Sequence, residues 1–232
     1  MGFILLEGGA EFGGRMAAAD RQAIRMAGGP DAPIRIIPAA AAPDNNHRRA
    51  GQNGVAWFQK LGASDIFALN LIDRQSADDP EIASKLARAR LIYLLGGFPH
   101  YLGQTLQGSR SWQAILDAHS KGAVVAGSSA GAMVLCEYYF DPATSRVHPG
   151  LNLIRGACVV PHHETFGQNW VPALKKMLKN AILVGIDEQT GAINDIAPGC
   201  WRGYGQGKIT LYRNDTIRQF SAGQEFSLSI EV

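Results

Sequence analysis

Apolar residues fall into short branched runs, separated by stretches in which they recur every three or four positions. The runs Phe3–Leu6, Ile34–Ile37, Ile66–Leu69, Leu91–Leu95, Ala123–Ala126, Ala157–Val160 and Ile182–Ile186 are continuous rather than alternating, as strands buried on both faces are. Between them Val55, Phe58 and Leu61 share one helical face, as do Trp112, Ile115 and Leu116, and again Val171, Leu174 and Leu178. One helix start is marked by its chemistry: Asp79 can cap, Pro80 suits the first helical position, and Glu81 adds negative charge to the first turn. Strand alternating with helix predicts an α/β fold, a mostly parallel doubly wound sheet covered by helices on both faces. After residue 190 the pattern shortens and alternates between Gly and Asn turns, at Ala192–Ile196, Trp201–Gly205, Lys208–Tyr212 and Glu225–Ile230. These segments predict antiparallel strands near the C-terminus. No proline-rich linker, charge run or repeat divides residues 1–232, so one domain is expected.

Composition narrows the function classes. With 46% hydrophobic and 18% charged residues, the chain of 232 has the make-up of a folded globular protein. Its formal charge of +2 leaves no electrostatic footprint for nucleic acid or a membrane surface. Cys136, Cys158 and Cys200 are odd in number, widely spaced and without a CxxC pair, which argues against a disulfide framework or a zinc site. A reducing cytoplasm is the expected compartment. No targeting signal is read at the amino terminus, and the weakly polar run from Gly122 to Cys136 is too short to span a bilayer.

The glycines, 27 in all, cluster just after the predicted strands, where open α/β sheets gather their chemistry. Gly8-Gly9 and Gly13-Gly14 lack the spacing of a dinucleotide fingerprint, and no Gly-Lys-Ser/Thr phosphate loop exists, so no cofactor is expected. The segment Val124 to Leu135 reads as a buried strand, then Gly127-Ser128-Ser129-Ala130-Gly131, then a helix. That is the layout of a nucleophile elbow, in which a strained serine projects clear of tiny neighbours. Ser129 is the candidate nucleophile because the glycines flank it symmetrically. His162 and His163 follow the strand Ala157–Val160 behind Pro161, and one of them is the candidate base. Asp187 and Glu188 end another apolar run, and strand alternation points them in opposite directions, so either could orient the histidine but not both. Gly96-Gly97 also ends a strand, and the Gly97 amide could serve with that of Ala130 as an oxyanion donor.

Together these segments resemble the S51 serine peptidases, which include aspartyl dipeptidase (peptidase E) and cyanophycinase and have a class I glutamine-amidotransferase-like, flavodoxin-like fold. The resemblance runs through Leu6-Glu7-Gly8-Gly9, Gly96-Gly97, the 127–132 elbow, Pro161-His162 and Gly185-Ile186-Asp187-Glu188. It implies a Ser-His-Glu triad of Ser129, His162 and Glu188, with the backbone amides of Gly97 and Ala130 as the oxyanion hole. Phe98-Pro99 and His163-Glu164 stand where better-known members have other residues, so aspartyl specificity is not carried over. The expected activity is acyl-transfer hydrolysis of a small peptide or amide, with no metal. Glu11, Asn45, His100, Tyr101 and His163 are candidate substrate contacts, and a homodimer is compatible with the reading. A scaffold that has lost peptidase activity and binds a small molecule or peptide is the alternative. A glutaminase would want cysteine at the elbow, and the nearest, Cys136, lies beyond it.

Overall fold

The computed structural model describes residues 2–197 and 199–228. Its strands, in chain order, are β1 (Phe3–Glu7), β2 (Ile34–Ile37), β3 (Ile66–Ala68), β4 (Leu91–Leu94), β5 (Val124–Ser128), β6 (Tyr138–Asp141) and β7 (Arg146–Pro149). There follow β8 (Ala157–Val160), β9 (Ile182–Ile186), β10 (Thr190–Ala197), β11 (Cys200–Gly205), β12 (Ile209–Arg213), β13 (Thr216–Phe220) and β14 (Glu225–Ser227). The helices are α1 (Ala17–Ala27), α2 (His47–Lys60), α3 (Arg74–Ala77), α4 (Pro80–Ala87), α5 (Pro99–Leu106), α6 (Arg110–Ser120), α7 (Ala130–Leu135) and α8 (Val171–Met177). The reading of Glu225–Ile230 as a strand extends past residue 228, and its last two residues lie outside the described part.

An eight-stranded sheet has the order β14-β11-β10-β1-β5-β4-β2-β3. Strands β1, β5, β4, β2 and β3 are mutually parallel, while β10, β11 and β14 close the other edge antiparallel. Alternation along β1 feeds two cores. Leu5 packs on one face with Ala19, Ala23 and Ile24 of α1 and Trp57 and Phe58 of α2. Ile4 and Leu6 face the other side, with Leu86 of α4, Leu102 of α5, Ile115 of α6 and Met133 of α7. The start of α4 has the expected chemistry: Asp79 accepts a hydrogen bond from the Glu81 amide at 2.7 Å, with Pro80 in the first turn.

One expectation needs correcting. The runs at β8 and β9 are strands, but they do not join the large sheet. They pair parallel with each other in a four-stranded sheet of order β13-β12-β9-β8, where β12 and β13 run antiparallel. Both runs are fully buried all the same, which is why hydrophobicity alone assigns them to a single sheet. The hairpin of β6 and β7 and the exposed strand β13 were not expected; Pro149 and the polar surface of β13 carry little strand signal.

Candidate active site

The carboxyl ends of β1, β5, β8 and β9 converge, and the last residues of β1 join the others through backbone hydrogen bonds. The Ser129 amide donates to the Glu7 carbonyl at 3.0 Å, the His162 amide to the Gly8 carbonyl at 2.7 Å, and the Gln189 amide to the Gly9 carbonyl at 3.0 Å. Three consecutive carbonyls thus set the relative positions of three loops that are far apart in sequence.

Ser129 sits between β5 and α7 with φ 48° and ψ −113°, a conformation that costs energy for a residue with a side chain and is held only by its surroundings. The surroundings are tight. A Cβ on Gly127 would come 2.4 Å from the Gly131 carbonyl carbon, and one on Gly131 would come 2.2 Å from the Leu94 carbonyl oxygen. The turn therefore closes only with glycine at both positions. Ser129 Oγ lies 3.0 Å from His162 Nε2, and His162 Nδ1 lies 2.7 Å from Glu188 Oε1. Ser128 points the other way, fully buried, and donates to Glu11 Oε2 at 3.0 Å.

His162 also has a positive φ, 49°, and its ring lies against Gly9, where a Cβ would stand 2.2 Å from ring atom Cε1. Phe166 stacks on that ring, with centroids 4.8 Å apart. The Glu188 amide is held in turn by Glu164, whose two carboxylate oxygens accept from it at 2.8 and 2.9 Å. A hydroxyl, an imidazole and a carboxylate in one hydrogen-bonded line can pass a proton from oxygen to nitrogen while the carboxylate stabilises the imidazolium that forms.

The neighbouring pair belongs to a separate cluster. His163 is 7% exposed and faces Asp187 at 3.4 Å and the Tyr212 hydroxyl at 2.8 Å. Asp187 is buried too, and its other oxygen accepts from the Lys208 amide at 2.8 Å. β9 ends at Ile186, so the strand pleat does not reach residues 187 and 188; the turn that follows directs Glu188 to His162 and Asp187 to His163.

A cavity of about 390 Å³ opens beside Ser129 and His162, with Gly97 in its wall. Gly97 follows β4 at φ +136°. Of the other residues considered for substrate contact, Glu11 is partly buried under Ser128, Asn45 is exposed with φ 57°, and His100 lies in α5 with Nδ1 3.0 Å from the Tyr139 hydroxyl. Tyr101 is in the same helix. None of these, nor His163, lines the cavity. The residues that do, Phe166 and Trp170 above all, were missed in sequence; they follow the histidine pair at helical spacing, a signal weak enough to pass for core. The roles of Gly9 and Glu164 were missed as well, although the glycine pair after β1 marked the place.

Beneath the elbow, Glu7 and Asp20 are fully buried. Glu7 accepts from the Tyr93 hydroxyl and Asp20 from Trp57 Nε1 at 2.8 Å, while the other oxygens, Glu7 Oε1 and Asp20 Oδ1, are buried without a hydrogen-bond partner among the described residues. Burial raises Glu7 well above the usual carboxylate range, with the charge of Asp20 adding to it. Burial likewise raises Asp20 to about 7, against the opposing pull of the Trp57 hydrogen bond. Burial thus favours the protonated form of both carboxyls.

Comparison with known proteins gives the family of the chain. The profile of Peptidase family S51 matches residues 3–193. Cyanophycinase from Geminocystis herdmanii (strain PCC 6308) is 28% identical over 180 residues, covering 72% of this chain and 64% of that protein. Cyanophycinase from Synechococcus elongatus is 27% identical over 221 residues, covering 90% of this chain and 67% of that protein. The chain thus spans about two thirds of the length of these curated relatives. Among solved structures, a peptidase from an acI-B1 Actinobacterium superposes with a TM-score of 0.87 at 30% identity, over 98% of this chain and 97% of that one. A putative peptidase E protein from Listeria monocytogenes EGD-e shares the fold, with a TM-score of 0.62 at 15% identity over 96% of this chain and 100% of that one. With the profile running from β1 into β10, the chain belongs to peptidase family S51, a family of serine-type peptidases.

Proposed function

We propose that the protein hydrolyses short peptides or peptide-like amides through an acyl-enzyme on Ser129. His162 takes the hydroxyl proton as Ser129 Oγ attacks the scissile carbonyl, and Glu188 holds the ring and stabilises its positive charge. The tetrahedral oxyanion is received by the backbone amides of Gly97 and Ala130. His162 then returns the proton to the leaving amine, which departs as the C–N bond breaks. Water, deprotonated by the same imidazole, attacks the ester carbonyl; the C–O bond to Ser129 breaks, His162 returns the proton to Ser129 Oγ, and the acid product leaves. The substrate amide and one water balance these steps.

The unbroken line from Ser129 through His162 to Glu188, at 3.0 and 2.7 Å, carries this reading. A cavity of about 390 Å³ suits short substrates better than a folded protein. The test is turnover of a dipeptide panel by the wild type and by Ser129→Ala. The variant is expected to keep the fold and lose at least about a thousandfold in rate. Wild-type turnover by a folded Ser129→Ala protein would refute the assignment.

A further inference from the structure

We propose that the cavity beside Ser129 takes an uncharged apolar or aromatic side chain flanking the scissile amide, and that it rejects carboxylate side chains. This deepens the serine-peptidase reading and rests on it for the reaction, though not for the binding preference.

The walls supply the first ground. Pro99, Met133, Pro142, Pro161, Phe166 and Trp170 line the cavity, and His162 is the only ionisable side chain in the lining. Neither lysine nor arginine is among the lining residues. An ionised carboxylate placed there would lose its water and find no countercharge, which is strongly unfavourable. An apolar side chain loses nothing polar and removes its own surface from water.

The second ground is the aromatic rim. Phe166 is 49% exposed, yet it is fixed rather than loose. It stacks on His162 and meets Trp170 edge-on at 5.5 Å, and Trp170 packs on Phe140 at 5.2 Å. Phe140 is in turn buried in the core. An exposed phenyl ring anchored in this way, beside the reacting atoms, offers a face to another ring or branched chain at little cost in ordering.

The third ground is charge. Glu188 reaches the His162 ring, Glu164 binds the Glu188 amide, and Glu11 binds the Ser128 hydroxyl. Among the described residues no lysine or arginine forms an ion pair with any of these three carboxylates. These three carboxylates repel an acidic side chain and bring no cation that could receive it.

Binding of Phe-Gly, Gly-Phe, Asp-Gly and Gly-Asp to Ser129→Ala by calorimetry tests the preference without catalysis. At least one phenylalanyl dipeptide is expected to bind at least about tenfold tighter than both aspartyl ones. Equal binding, tighter aspartyl binding, or no phenylalanyl binding at millimolar concentration would overturn the proposal. In the otherwise wild-type enzyme, Phe166→Arg puts a cation on the rim at an exposed position. It is expected to raise kcat/KM for aspartyl relative to phenylalanyl dipeptides about tenfold or more, and an unchanged ratio would count against the cavity. Because the first measurement omits the nucleophile, the preference can fail while Ser129 remains reactive toward a fluorophosphonate, and it can hold if Ser129 proves unreactive.

Discussion

At the scale of the residue, the site depends on which way four side chains turn. Ser129 was legible in sequence because the glycines around it have one steric explanation, and Gly127 and Gly131 pack against each other and against Leu94 as that explanation requires. The acid was not legible. Asp187 and Glu188 are adjacent, and alternation separates them without saying which one faces His162; only the resemblance to S51 peptidases favoured Glu188. In space the two are held by different partners, so substitutions should separate their effects. Glu188→Gln keeps the shape and removes the charge that stabilises an imidazolium, and kcat should fall about a hundred- to ten-thousandfold. Asp187→Asn should leave turnover within about threefold and lower stability by about 1 to 3 kcal/mol, because a buried acceptor from the Lys208 amide and from His163 is weakened. Steady-state kinetics and thermal melts of both variants check this. Equal kinetic losses would mean that the His163 cluster takes part in the reaction.

At the scale of the element, the parallel strands were readable from continuous apolar runs, α2, α6 and α8 from helical periodicity, and the capped start of α4 from three residues, whereas α1, α3 and α5 were not singled out. Membership of β8 and β9 in a second sheet was not readable, because a strand buried on both faces has the same sequence whichever sheet it joins. The convergence of β1, β5, β8 and β9 was hidden for a related reason: it is made by backbone carbonyls of Glu7, Gly8 and Gly9, which no side-chain pattern reports. Gly9 is the sensitive point, with φ +115° and no room for a Cβ beside His162. Gly9→Ala should displace the imidazole and lower kcat/KM by about tenfold or more. The strained backbone should cost about 1 to 2 kcal/mol besides. A variant with a lower melting temperature and unchanged kcat/KM would show that the β1 turn supports the fold without setting the histidine.

At the scale of the whole molecule, the described residues contain no helix long and apolar enough to cross a membrane, and the buried Glu7–Asp20 pair ties stability to pH. Both groups are raised by burial in the folded state, Asp20 from 3.8 to about 7. Between those values the folded chain holds a proton on Asp20 that the unfolded chain releases, so the Asp20 contribution falls as pH rises from about 4 to 7, and Glu7, raised in the same direction, adds to the fall. The melting temperature of the wild type relative to Asp20→Asn should therefore drop by about 5 °C between pH 5 and pH 8. A constant difference would mean that burial does not raise Asp20 in the folded chain. The molecule's chemistry rests on a different group, and reaction of Ser129 with a fluorophosphonate, followed by intact and peptide mass, tests it most directly. The account predicts one adduct per chain, located on Ser129 and lost with His162→Gln. A wild-type protein that stays unlabelled, or a His162→Gln variant that labels at the same rate, would contradict it.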